Sequence, residues 1–226
     1  MIRRDYLLKM IQEFIQALGR IHGLQERGKW KDATVTVEQE LIRLTGKGAQ
    51  ALALSSDTEI LARIIEGEPT QVVRDKSFMV ARLLKEAGDA AARQQQRAES
   101  RSCHLKSLHL VLDVFAQSDT LEHPEFVPAV QSLVTSLQDG ELPLRIQVLL
   151  MRHYERAGDF AQAENVLFSM LDSSVEQAAV LEFGLLFYKR LQAHSDWTLD
   201  TGNLPRHEVA AGLKELHQRA RRFSVL

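Results

Sequence analysis

The chain has a single cysteine, Cys103, and only five prolines in 226 residues. One thiol excludes an internal disulfide framework and a cysteine-based zinc cluster. No apolar run approaches the ~18 residues that a membrane-spanning helix needs. The opening MIRRDYLLKMIQEF carries charges inside its apolar stretch and no small-residue cleavage site, so a signal peptide is not expected. Neither sign of charge prevails, with 28 Lys and Arg against 30 Asp and Glu, and the chain as a whole is no polycation. Strand signals are as scarce. The one alternating run, Thr34-Val35-Thr36-Val37, sits inside a helical pattern, and the one Asp-Gly pair, Asp139-Gly140, separates helical patterns. A content of 45% hydrophobic and 26% charged residues is that of an ordinary globular protein. A cytoplasmic protein is the expectation.

Catalytic signatures are missing too. The chain has no Gly-x-Ser-x-Gly elbow, no phosphate loop, no Gly-x-Gly-x-x-Gly and no His-Glu-x-x-His. The nearest approach to a phosphate loop, Thr45-Gly46-Lys47-Gly48, follows a helix rather than a strand and reads as a helix-end turn. Cys103, His104 and His109 form the one sulfur–imidazole cluster. On a helix, however, the two histidines point ~140° apart and cannot share a metal, so a buried cysteine beside a half-buried histidine is expected. His194-Ser195-Asp196 holds the residue types of a triad, but neighbours in sequence diverge in space. No catalytic, cofactor-binding or metal-ligating residue is therefore assigned.

What the sequence has in abundance is helical period, and the fold class expected is all-α with about ten helices. Leu7, Ile11, Phe14, Leu18 and Ile21 step by four and three along the first helix. Tyr6, Met10 and Ile15 widen that stripe, which suits more than one neighbour or a homodimer; a light-scattering dimer weakened by Ile11→Asp would support the latter. Gly28 marks a stop. A second helix is expected over Trp30 to Leu44, with a short ambiguous stretch from Lys47 to Leu54. Ser56 and Glu59 have capping-box spacing and open a further helix. Between Leu84 and Leu105 no Leu, Ile, Val, Phe or Met occurs. Residues 88–102 thus read as a polar helical linker between an N-terminal region, 1–87, and a C-terminal region, 103–226. Val175 to Leu191 is apolar nearly all round and suits a central buried helix. His194 to Leu204 reads as the longest loop. Pro205 and the stripe Val209, Leu213, Leu216, Ala220 and Phe223 mark the last helix.

Residues 150–171 carry the most specific pattern. Gly158 can end a helix in a tight turn, Phe160 can plug that turn, and Ala163 leaves room where two helices meet. Leu150, Tyr154, Leu167 and Met170 line the groove between them. This segment resembles one tetratricopeptide repeat, with Met151 where that family prefers glycine and Met170 where it prefers alanine. Fainter copies stand at Gly28-Lys29-Trp30 and Ala87-Gly88-Asp89-Ala90. Gly28, Gly88 and Gly158 are spaced roughly twice as widely as the ~34-residue period of a regular array, and an irregular helical bundle is the competing reading. The stretch from Ile2 to Phe14, continued by Leu18-Gly19-Arg20-Ile21, Gly28 and Leu44-Thr45-Gly46, also resembles an uncharacterised bacterial family of all-helical proteins. That resemblance implies no activity and carries over no catalytic residue.

The function expected is a non-catalytic scaffold or adaptor that binds a protein or peptide, since paired helices create grooves. Arg152, Tyr154 and Trp197 are the candidate partner-binding residues. A regulatory protein that touches nucleic acid through its last helix is the first alternative. Arg206, Lys214, Arg219, Arg221 and Arg222 outnumber Glu208 and Glu215 there, although cations also suit a helix C-terminus. An enzyme with an unrecognised site is the second. Arg3 and Arg4 fall far short of a membrane-anchoring polybasic cluster.

Overall fold

The computed structural model describes residues 2–173 and 177–223. They hold twelve helices and no strand. The side chains of Arg3, Arg4, Arg222 and Phe223, and residue Val175, lie outside what is described. The fold splits into two compact units, residues 1–141 and 142–226.

In the first unit α1 (Ile2–Glu26) ends at Gly28, which takes φ +70° and turns the chain into α2 (Trp30–Thr45). That left-handed conformation is one glycine adopts without a Cβ clash. Phe14, Ala17 and Ile21 are fully buried, as the three-and-four spacing requires. Of the flanking residues only Met10 joins them; Tyr6 and Ile15 stay half exposed, and Ile11 is partly buried. Glu13 pairs with Arg43 and Glu40 with Arg20, so α1 and α2 run antiparallel. The ambiguous stretch becomes a one-and-a-half-turn helix, α3 (Ala49–Leu54). Its first N–H, at Ala49, donates to Glu38 Oε2 at 2.9 Å. The Ser56 cap forms as the spacing predicts, accepting from the Glu59 N–H at 3.2 Å at the head of α4 (Asp57–Ile65).

Residues 88–102 are not a boundary. Here α5 (Thr70–Arg93) continues about two and a half turns past its last large apolar residue, Leu84, before a short turn leads to α6 (Arg97–Gln117). Ala87, Gly88 and Ala91 are buried. Small side chains let α5 and α6 approach closely, which a search for large apolar residues does not register. Gly88 lies inside α5 rather than at a hairpin turn, and a Cβ on it would come within 2.7 Å of the His104 ring. After α6 comes the longest irregular segment, residues 118–129, with Phe126 edge-on to Phe14 at 4.9 Å. The short α7 (Val130–Ser136) completes the unit.

The second unit begins with α8 (Leu144–Ala157) and α9 (Phe160–Ser173), joined by the Gly158 turn at φ +78°. Leu150, Tyr154, Phe160, Ala163, Leu167 and Met170 are all buried. The helix α10 (Gln177–Gln192) is amphipathic rather than buried all round. Phe187, Tyr188 and Leu191 are enclosed while Leu186 is half exposed. The stretch expected as a long loop folds into α11 (Asp196–Thr201) because Ser195 caps it, accepting from the Thr198 N–H. Finally α12 (Arg206–Phe223) packs antiparallel on α10, with Gly184 against Leu216 and Gly212 against Tyr188.

Candidate functional site

Of the three expected partner-binding residues, the structure leaves two at the surface. Arg152 is exposed and its guanidinium lies 5.7 Å from the Phe183 ring. Trp197 is 76% exposed. Tyr154 is a correction: it faces the α8–α9 core at 7% exposure, and burial followed by the charge of Asp159 raises its pKa. A tyrosine four residues before a turn glycine on a buried stripe is packing, not recognition. Trp197 instead borders an opening lined by Gly158, Asp159, Phe160, Thr198 and Asn203. The floor of that opening is closely packed. Ala161 N–H donates to Gly202 C=O at 3.1 Å, and a Cβ on Gly202 would come within 2.5 Å of the Gly158 oxygen.

The suspected triad residues beside Trp197 part company. His194 stacks at 5.2 Å on Phe160, Ser195 caps α11, and Asp196 pairs with Arg206. In the Thr45–Gly48 stretch Gly46 is the left-handed end of α2. The Lys47 ammonium goes to Glu59, and Glu38 crowds Gly48. This is a helix-end turn. On the last helix, Arg206 pairs with Asp196, and Arg219 with Asp172 and Glu215, so two of its cations already have acidic partners.

The Cys103 cluster separates too, and both histidines prove fully rather than half buried. Burial pushes the Cys103 thiol up to about 12, with the charges of Glu99 and Glu38 adding to it. His104 Nε2 donates to Asp89 Oδ1 at 3.0 Å, since a carboxylate only accepts, while Ser100 Oγ stands 3.4 Å from Nδ1. Lys85 holds the other Asp89 oxygen at 2.6 Å. Burial works to raise the Asp89 pKa, but the bonds from His104 and Lys85 together bring it below the usual carboxylate range. Ser100, His104 and Asp89 are thus serine, imidazole and carboxylate in a row. Serine-hydrolase chemistry needs access as well as residue types, and Ser100 lines neither of the two hollows next described. The array fastens α5 to α6. His109 does the same for α4, donating from Nδ1 to Asp57 at 3.0 Å beside Lys106 at 2.7 Å.

Two hollows adjoin Trp30, a residue singled out in sequence only as a faint repeat position. The inner one, about 70 Å³, is of mixed character, lined by Gln25, Glu86, Asp89 and Arg93 together with Val37 and Ala87. Its carboxylates are already engaged: Glu86 by Arg82 at 2.7 Å and by Gln25 at 2.9 Å, Asp89 as above. Among the described residues no group of three His, Cys, Asp or Glu could hold a metal ion. The outer one is a groove of about 1040 Å³ running past Lys29, Trp30, Lys31, Val35 and Arg93. Arg93 stacks on the Trp30 ring at 4.0 Å. More than sixty residues separate the two, so no local pattern joins them.

No helix among the described residues is long and apolar enough to cross a membrane. The model of a family of unknown function (DUF6483) matches residues 1–221. No curated protein and no solved structure matches the chain.

Proposed function

The chain belongs to DUF6483, a family of unknown function, and we propose that it is a non-catalytic scaffold or adaptor that binds another protein or a peptide. The observation that carries this reading is Trp197, an indole 76% exposed at the rim of an opening. A large apolar ring left in water beside a concavity is the kind of residue that dominates protein–protein binding once a partner covers it. The α8–α9 pair supports a tetratricopeptide-like hairpin as the platform. Its turn glycine is left-handed, and Phe160 and Ala163 are buried at the positions the repeat needs.

The test is a pull-down with the tagged full chain, wild type against Trp197→Ala, washed in high salt. A stoichiometric protein retained by the wild type and lost from the variant, with unchanged helical circular dichroism, supports the reading. Identical captured sets would remove Trp197 from it. Nucleic acid that leaves at high salt would favour the α12 alternative instead.

A further inference from the structure

We infer that the groove at Trp30 is a binding site for an acidic peptide, in which a carboxylate side chain takes the Arg93 guanidinium and a neighbouring apolar side chain covers Trp30 and Val35. The inference rests on the protein-binding reading but on the other unit of the chain and on separate residues.

Three observations carry it. First, Trp30 and Val35 are 40% and 54% exposed and border one groove, so apolar surface is already gathered there. Second, the groove's three cations are unspent. Among the described residues the side chains of Lys29, Lys31 and Arg93 make no ion pair or hydrogen bond, whereas Arg20, Arg43, Lys47, Lys76, Lys85 and Lys106 all have acidic partners in this unit. Third, the Arg93 guanidinium lies over the Trp30 ring, its carbon 4.0 Å from the ring centroid, and a guanidinium held over a ring face keeps edge N–H donors that a carboxylate can accept from.

The same lining decides between classes of anionic ligand. Asp32 and Glu38 stand in the groove with Gln39 and Gln94. A continuous phosphate backbone would meet those carboxylates, and it gains its affinity from uninterrupted rows of cations. A peptide brings one carboxylate to Arg93 and main-chain amides to the rest.

The experiment uses the full chain carrying Trp197→Phe, which leaves Trp30 as the sole indole reporter. It is titrated with a degenerate pool of short, end-blocked peptides mixing Glu or Asp with Leu, Ile or Phe. The matching pool with Gln and Asn in place of the acids is the control. The expected result is a saturable change in Trp30 emission with the acidic pool alone. Arg93→Gln should weaken it at least about tenfold, and Arg93→Lys, which keeps the charge and loses the fork, should weaken it in between. Lys29→Gln with Lys31→Gln should lower its salt dependence. Equal binding of both pools, no binding, indifference to Arg93→Gln in a variant of normal helicity, or tighter binding of oligothymidine would each overturn the inference. If the groove fails while Trp197 still captures its partner, the protein-binding reading stands without it; if both fail, both fall.

Discussion

In the first unit α5 and α6 meet across ionisable side chains, Asp89 with His104 and Lys85, and α4 joins them through Asp57 with His109 and Lys106. In the second unit α10 meets α12 across two glycines, Gly184 under Leu216 and Gly212 under Tyr188, with Glu164 accepting from the Tyr188 hydroxyl. A half-buried charged contact favours one register, because a slip of one residue separates the partners, and its strength follows pH. A glycine contact fixes distance, because any Cβ fills the space, and its strength follows volume. One chain therefore holds helices together in two ways that respond to different perturbations.

The largest effect should come from volume. Gly202→Ala places a methyl group against Phe160 and the Gly158 carbonyl, and a backbone oxygen cannot swing aside. A loss of about 3 kcal/mol is expected by chemical denaturation, with amide hydrogen exchange rising in α8–α12. An unchanged midpoint would show that the α11 floor is soft.

Next comes His104→Leu in the first unit, which removes the donor to Asp89. It should cost about 1–2 kcal/mol, with faster exchange in α5 and α6 and none of the change confined to the second unit. Asp57 supplies the pH arm. Burial opposes its charge, but the Lys106 hydrogen bond and the nearby His109 together hold its pKa below the usual value. A carboxylate with a depressed folded pKa stabilises above its unfolded pKa, and that contribution fades as pH falls through the folded value. Asp57→Asn should therefore be the weaker protein at pH 7 and should lose less on acidification below about pH 4. Parallel pH curves would assign the acid sensitivity elsewhere.

The smallest change is a chemical one. Cys103 is fully buried, and its raised pKa keeps the thiol protonated until strongly alkaline conditions, so ionising it would oppose the fold only as pH climbs. At neutral pH Ellman's reagent should label it about a hundredfold more slowly than glutathione, at a rate set by local opening. Prompt labelling would mean that α6 opens readily.

The stop at Gly28, the cap at Ser56, the α8–α9 turn at Gly158 and the buried stripe of α1 were all legible in the residues, because caps, left-handed glycines and three-and-four spacing act within a turn or two of chain. Trp197 was legible as well, as a large ring in a polar stretch. What local pattern could not supply is which small or polar residue would be enclosed. Ala87, Gly88 and Ala91 carry too little apolar area to signal burial, yet their smallness draws α5 and α6 together and places the unit boundary after Glu141 rather than at residue 88. Tyr154 offers a hydroxyl that reads as surface and a ring that packs as core. The Ser100–His104–Asp89 array and the Trp30–Arg93 stack each join residues from different helices. Sequence by itself determined that this protein is a set of amphipathic helices and where most of them start and stop, since backbone hydrogen bonding and side-chain period are local. Only tertiary structure decided which charges are spent on one another and which, at Lys29, Lys31 and Arg93, stay unpaired among the described residues, because ion pairing depends on distances that close when helices pack.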